Sequence, residues 1–126
     1  MNQDVRVRGV RGATRVERDD AEAIVSATAR LLKELLAVND ADPEDIVSIV
    51  FTATGDLRAT FPAEAARRVA LDDVPLLCAR EIDVPGAMER VIRVLMIFHT
   101  ERARDEVQSV YLEGTDVLRR SRDGAA

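Results

Sequence analysis

The sequence predicts an α+β fold, a mixed β-sheet with helices on one face, and three observations carry that expectation. Residues 46–54 (IVSIVFTAT) and 92–99 (IRVLMIFH) are apolar and rich in β-branched side chains, as in buried strands. Residues 20–38 instead space their apolar side chains three and four apart, the period of a helix lying on a core. The predicted elements run β-α-β-α-β-β-β, with the helices early. Two helices are too few to cover both faces of a sheet whose strands are apolar on both sides, so self-association is expected.

Taken in order, residues 1–4 are expected to fray. Residues 5–11 (VRVRGVR) alternate apolar and basic, which predicts a half-buried strand. Val5, Val7, Gly9 and Arg11 share one face of it; Arg6, Arg8 and Val10 share the other. Arg6 and Arg8 read as solvated charges, while Arg11 ends the face that carries the valines. Gly12-Ala13-Thr14 turns the chain, and Asp19-x-x-Glu22 predicts a capping box. The helix that follows places Ile24, Thr28, Leu31, Leu32, Leu35 and Leu36 on one stripe. Asn39 to Pro43 (NDADP) ends it, with Asp42 and Pro43 suited to start a short helical turn.

After the strand 46–54 and the loop at Gly55-Asp56-Leu57, Phe61-Pro62 leads into a helix over 62–70 with proline in its first turn. Its Ala63, Ala65 and Ala66 allow close approach to a neighbour, and Arg67 and Arg68 suit its C-terminal end. A strand over 74–79 changes course at Arg80-Glu81, and Asp83-Val84-Pro85-Gly86 signals a turn. Residues 87–90 read as a helical turn and 92–99 as a central strand. A polar linker over 100–106 precedes a strand over 107–113. Residues 117–119 suggest an edge strand, and 120–126 a loose tail.

At 126 residues, 47% hydrophobic and 33% charged, the chain is long and apolar enough for one globular domain spanning 1–126. The net charge of −5, with no tryptophan and one tyrosine, argues against nucleic acid as a partner. No apolar run reaches the ~18 residues of a membrane helix, and the N-terminus lacks a signal-peptide core. No membrane partner and a cytoplasmic location are therefore expected. One cysteine excludes an internal disulfide.

The chemistry must come from charges set in apolar sequence. Residues 74–94 hold Cys78 and, three residues later, Glu81; Arg93 opens the most hydrophobic run of the protein. A carboxylate and a guanidinium in such surroundings need each other or a ligand. Nucleophilic catalysis by Cys78 would need His99 as its base, the one histidine in the chain. Cys78, His99, Glu81 and Asp83 have no recognisable metal-ligand spacing. Arg8-Gly9-Val10-Arg11-Gly12-Ala13-Thr14 only loosely matches a phosphate loop, and no helix starts directly after it. A fourth set, Arg11, Arg67, Arg93 and Arg119 with Glu81 and Tyr111, offers anion clamps, an acceptor and a phenol, and suits a small polycarboxylate bearing a hydroxyl. Each arginine fits a surface ion pair equally well. Pattern leaves both readings open.

Five segments narrow the choice. Arg8-Gly9-Val10-Arg11-Gly12-Ala13-Thr14, Phe61-Pro62-Ala63, Val74-Pro75-Leu76-Leu77-Cys78-Ala79-Arg80-Glu81, Ile92-Arg93-Val94 and Val110-Tyr111-Leu112 together resemble the monofunctional AroH-class chorismate mutases. The likeness runs from about residue 5 to 119, with the motifs in the family's order. It implies a pseudo-α/β-barrel homotrimer with active sites at subunit interfaces. It also implies rearrangement of chorismate to prephenate in aromatic amino-acid biosynthesis, an isomerase reaction without cofactor or metal.

Carried over onto matching positions, the resemblance implies that Arg93 donates to the ether oxygen and a carboxylate. Glu81 would accept from the ring hydroxyl, with Cys78 helping to hold that group. Arg11 and Tyr111 would bind the side-chain carboxylate; Phe61 and Ala63 would shape the apolar wall. Leu118 and Arg119 would close over the site, and Arg67 would attract the dianion at its mouth. Glu64 stands where some members carry a ligand-facing lysine, and the tail ends soon after Arg119. A catalytically weak trimeric binding protein for a small carboxylate, using the same pocket, is the competing expectation. Parity adds a constraint: Cys78 and Glu81 point to opposite faces of a regular strand unless it bends or ends near Arg80.

Overall fold

The computed structural model of the chain describes residues 4–123. It contains five strands: β1 (Arg6–Arg15), β2 (Ile46–Ala53), β3 (Leu76–Arg80), β4 (Val91–Thr100) and β5 (Val110–Tyr111). They form one mixed sheet in the order β3-β2-β4-β1-β5. β4 is antiparallel to both β1 and β2, while β2–β3 and β1–β5 are parallel pairs. One α-helix, α1 (Ala21–Val38), and a 3-10 helix, Pro62–Val69, cover the same face. Among the described residues no helix is long and apolar enough to cross a membrane.

α1 forms where the periodicity placed it, but its cap is shifted by one residue. Asp20, extended at φ −142°, accepts from the Ala23 amide at 3.0 Å and is the N-cap. Asp19 instead accepts from the amides of Arg58 and Ala59 and pins the loop before Phe61. Glu22, freed from a capping role, pairs with Arg68 and ties α1 to the 3-10 helix. At the other end Asn39, almost fully buried, donates from Nδ2 to Leu35 O and Gln108 O and accepts from Gln108 N. The helix end and the approach to β5 are thus fastened by one side chain.

The buried face of the sheet follows strand parity. Val10 of β1, Ile49 and Phe51 of β2, and Val94, Met96 and Phe98 of β4 meet Leu31, Leu32 and Leu35 of α1. A bulge between Ile46 and Ser48 lets Ile46 and Ile49, three apart, both face the core and leaves Val47 exposed. Gly12 is required by the helix: a Cβ there would sit 3.0 Å from Leu35 Cδ1 and 3.1 Å from Leu31 Cδ1. The Arg6/Arg8 expectation divides, since Arg8 is half-buried and its Nε donates to Arg102 O at 3.2 Å.

Five expectations for the later chain are corrected. Residues 62–69 coil as a 3-10 rather than an α-helix, ending at Ala70 in the left-handed region (φ 59°). Residues 87–90 form no helical turn. Ala87 N closes a turn onto Val84 O around Pro85-Gly86, and Arg90 is held at φ 54° by bonds to other segments. The strand over 107–113 shrinks to Val110–Tyr111, because Asn39 takes the Gln108 amide and carbonyl that a longer ladder would use. Residues 117–119 lie in a 3-10 helix, Thr115–Asp123, because Glu113 and Gly114 at positive φ turn the chain out of the sheet. The tail expected over 120–126 belongs to that helix as far as Asp123. Residues 124–126 and 1–3, where fraying was expected, lie outside the described residues.

Candidate active site

The face of the sheet away from α1 carries the site. Arg11 on β1, Thr52 on β2 and Arg93 on β4 all point there, because Thr52 pairs with Arg93 and Ala13, two residues beyond Arg11, pairs with Arg93 in turn. Glu81 follows the last residue of β3, and its amide donates to Ala53 O at 2.9 Å, which keeps it beside the end of β2. Tyr111 reaches the same face from β5, opposite Ala13. Together Arg11, Thr52, Glu81, Arg93 and Tyr111, with Gly12, Val50, Val94 and Leu95, line a cavity of roughly 250 Å³.

The start of β4 is held firmly, and that holding places Arg93. Thr54 N donates to Val91 O, and Val91 N donates to Thr54 Oγ1, both at 3.0 Å. The Asp56 carboxylate accepts from Thr54 Oγ1 at 2.6 Å and from Arg90 N at 3.1 Å. Arg90 Nε donates to Val16 O at 2.9 Å. Arg93 lies two residues beyond this clamp, on a strand bonded on both sides.

Inside the cavity the charges are close without being mutually satisfied. Arg93 Nε lies 3.3 Å from Glu81 Oε2, near enough for Coulomb attraction. Nε is nevertheless buried and makes no hydrogen bond among the described residues, so its N–H is not aimed at that oxygen. Thr52 Oγ1 donates to the same Oε2. Tyr111 carries the Arg119 guanidinium over its ring at 4.5 Å from the centroid, a cation–π contact that brings the C-terminal segment against the site.

Other expected residues gather elsewhere. Cys78 faces the helix-covered side, pairs with Phe51, packs against the core and lines a second cavity with Phe61 and Pro62. β3 does end at Arg80, as parity allowed, but within one chain Cys78 does not reach the Glu81 cavity. Phe61 is 67% exposed, Ala63 is half-buried against the core, and Arg67 is exposed on the 3-10 helix that follows Phe61. Leu118 is half-buried in the C-terminal 3-10 helix. Cys78 and His99 form no pair: His99 lies five residues along β4 from the level of Cys78, on the opposite face. Among the described residues no group of three His, Cys, Asp or Glu side chains could hold a metal ion.

Thr52, Val50 and Leu95 are site residues that the sequence reading passed over. The signal was present in β2, where Ser48, Val50 and Thr52 alternate with Ile49, Phe51 and Ala53. Reading the segment as apolar throughout concealed the face on which its polar members sit.

The comparisons with known proteins bear on the family and the fold. A family model described as chorismate mutase type I matches residues 7–122. Chorismate mutase AroH of Thermus thermophilus is 48% identical over 114 residues, 90% of this chain and 93% of that protein. Chorismate mutase AroH of Bacillus subtilis is 44% identical over 114 residues, 90% of each. A solved chorismate mutase from Clostridium thermocellum superimposes with a TM-score of 0.85 at 45% identity, covering 86% of this chain and 97% of that one. In sequence and in backbone course, this chain belongs to the type I chorismate mutase family.

Proposed function

We propose that this protein is an isomerase that rearranges chorismate to prephenate, with the cavity between Arg11, Glu81, Arg93 and Tyr111 as the core of its active site. One observation carries the reading. Two guanidiniums, a carboxylate and a phenol converge on an apolar-walled cavity whose lining contains no histidine, cysteine or lysine. That is a site built for holding and polarising an anion that carries a hydroxyl.

The pericyclic reaction asks for nothing more. The ether C–O bond of the enolpyruvyl group breaks as a C–C bond forms, so no proton moves. The catalyst has to hold a flexible dicarboxylate in its compact chair form and stabilise the charge that separates in the transition state. Arg11 and Tyr111 bind the side-chain carboxylate. Glu81 accepts from the ring hydroxyl, and Arg93 donates to the ether oxygen, where negative charge develops. An acceleration of about 10⁶ needs only about 8 kcal/mol, within the reach of a few preorganised charges in a partly dry site.

The remaining wall comes from a second copy of the chain. The open face exposes Val7 at 54%, Leu77 at 65% and Leu95 at 40%, apolar area that a neighbouring subunit would cover. Cys78, Phe61, Ala63 and Arg67 then act on the neighbour's ligand, which accounts for their distance from Glu81 within one chain. A homotrimer with three interface sites follows, Leu118 and Arg119 closing each one. The single-domain organisation and the cytoplasmic setting expected from the sequence belong to the same proposal.

Incubating the purified protein with chorismate at neutral pH tests the reading, with sizing in solution as its companion. Loss of chorismate absorbance by a particle of three subunits is expected. Unchanged absorbance by an intact trimer would sink the enzyme and leave the weak carboxylate binder.

A further inference from the structure

We propose that Thr52 is a positioning residue of this site, the group that keeps Glu81 and Arg93 from closing into an aligned, hydrogen-bonded pair. The inference rests on the reading of the cavity as the chorismate site and adds to it a residue which the family resemblance did not supply.

β2 lies between β3 and β4, so Thr52 stands between the end of β3, which carries Glu81, and Arg93 on β4. Thr52 is directly paired with Arg93 and shares its face of the sheet. The Glu81 carboxylate, tethered through its own amide to Ala53 O, leans across β2 toward Arg93. Left to Coulomb attraction, Glu81 and Arg93 would close into an aligned ion pair that a substrate would have to break.

The hydroxyl of Thr52 intervenes at one atom. It donates to Oε2, the carboxylate oxygen that lies 3.3 Å from Arg93 Nε. The two donors compete for that oxygen, and the hydroxyl takes the aligned bond while Nε is left buried and unbonded. Oε2 is thereby occupied by the protein, which leaves Oε1 to accept from the ligand hydroxyl. The guanidinium of Arg93 keeps its donors for the ether oxygen and a carboxylate. Threonine also suits the place sterically, being β-branched in the middle of a strand.

The test compares the wild-type protein with Thr52→Val and Thr52→Ser in chorismate turnover and thermal unfolding. Valine keeps the shape and removes the donor, so Glu81 should close onto Arg93. A fall in kcat/KM of roughly tenfold or more is expected, the loss of a hydrogen bond to a charged group, with most of it in kcat. Thr52→Ser, which keeps the hydroxyl, should recover most of that loss, and the unfolding midpoints should stay together. Should the valine variant fold poorly, Thr52→Ala must show the same loss in kcat. Turnover by Thr52→Val or Thr52→Ala within twofold of wild type would overturn the proposal. So would a loss that Thr52→Ser shares in full. An inert wild-type protein would instead overturn the functional reading and this inference with it.

Discussion

Along β4, successive side chains have opposite duties. Ile92, Met96 and Phe98 are fully buried against the helix-covered core, while Arg93, Leu95 and His99, each one residue away, look out from the other face. The backbone is the same for both sets, and so are the hydrogen-bonded neighbours on either side. The covered face is packed with side chains whose burial contributes about 1.5–3 kcal/mol each. The open face keeps an unbonded buried donor, a misaligned ion pair and exposed valine and leucine. A face that satisfied all its groups internally would have nothing left to offer a ligand.

Substitutions on the two faces should therefore fail in different ways. Phe98→Ala is expected to cost about 3–5 kcal/mol of stability, seen as a lower urea midpoint, because it opens a cavity against α1. What activity remains should scale with the folded fraction. Arg93→Ala should do the reverse, lowering kcat by roughly 10²–10³-fold, the effect of removing a preorganised transition-state donor. Its unfolding midpoint should move far less, since the side chain is 41% exposed. Equal destabilisation by the two variants would break the division between the faces.

Arg67→Ala probes the wall that a neighbouring subunit would supply. An exposed arginine that attracts the dianion should raise KM severalfold and leave kcat nearly intact. A matching loss of kcat would place Arg67 against the reacting atoms and contradict its assignment to the mouth.

The smallest effect belongs to the tie between α1 and the 3-10 helix. Hydrogen bonds from Arg68, and secondarily from Ser26, lower the Glu22 carboxyl from 4.5 to about 2. The same contact with Glu22 raises Arg68 above its ordinary value. Since the folded value lies below the unfolded one, the tie stabilises above pH 4.5 and is lost as pH falls through about 2. Glu22→Gln should flatten the acid side of the stability profile in that window. The change should be slight, because both side chains are exposed.

Much of this division could be read without coordinates. The alternation around Arg11 and the 3.6-residue stripe of α1 are local periodicities. They placed α1 correctly but only the first part of β1, which runs through Gly12-Ala13-Thr14, where a turn was expected, to Arg15 because those residues pair with β4. The family likeness picked out Arg11, Glu81, Arg93 and Tyr111, which the structure gathers in one cavity. It also named Cys78, which strand parity turns to the other side. The choice of Asp20 over Asp19 as cap was a matter of one residue. It turned on whether the loop at Arg58 and Ala59, about forty positions away, needed a carboxylate.

Sequence period assigns residues to faces and says nothing of what covers each face. That is why the pattern along β1 and β4 could group Arg11 with Val7 and set Arg93 apart from Val94. It could not say that α1 would dock on the side of Val94 and leave the guanidiniums open. The docking depends on Gly12 admitting Leu31 and Leu35, nineteen and twenty-three positions further along the chain. The short β5 depends likewise on Asn39 capturing Gln108, and the environment of Glu81 on a hydroxyl from Thr52, 29 positions earlier in the chain. Such contacts are decided by which surfaces meet once the chain has collapsed, so no local pattern could carry them.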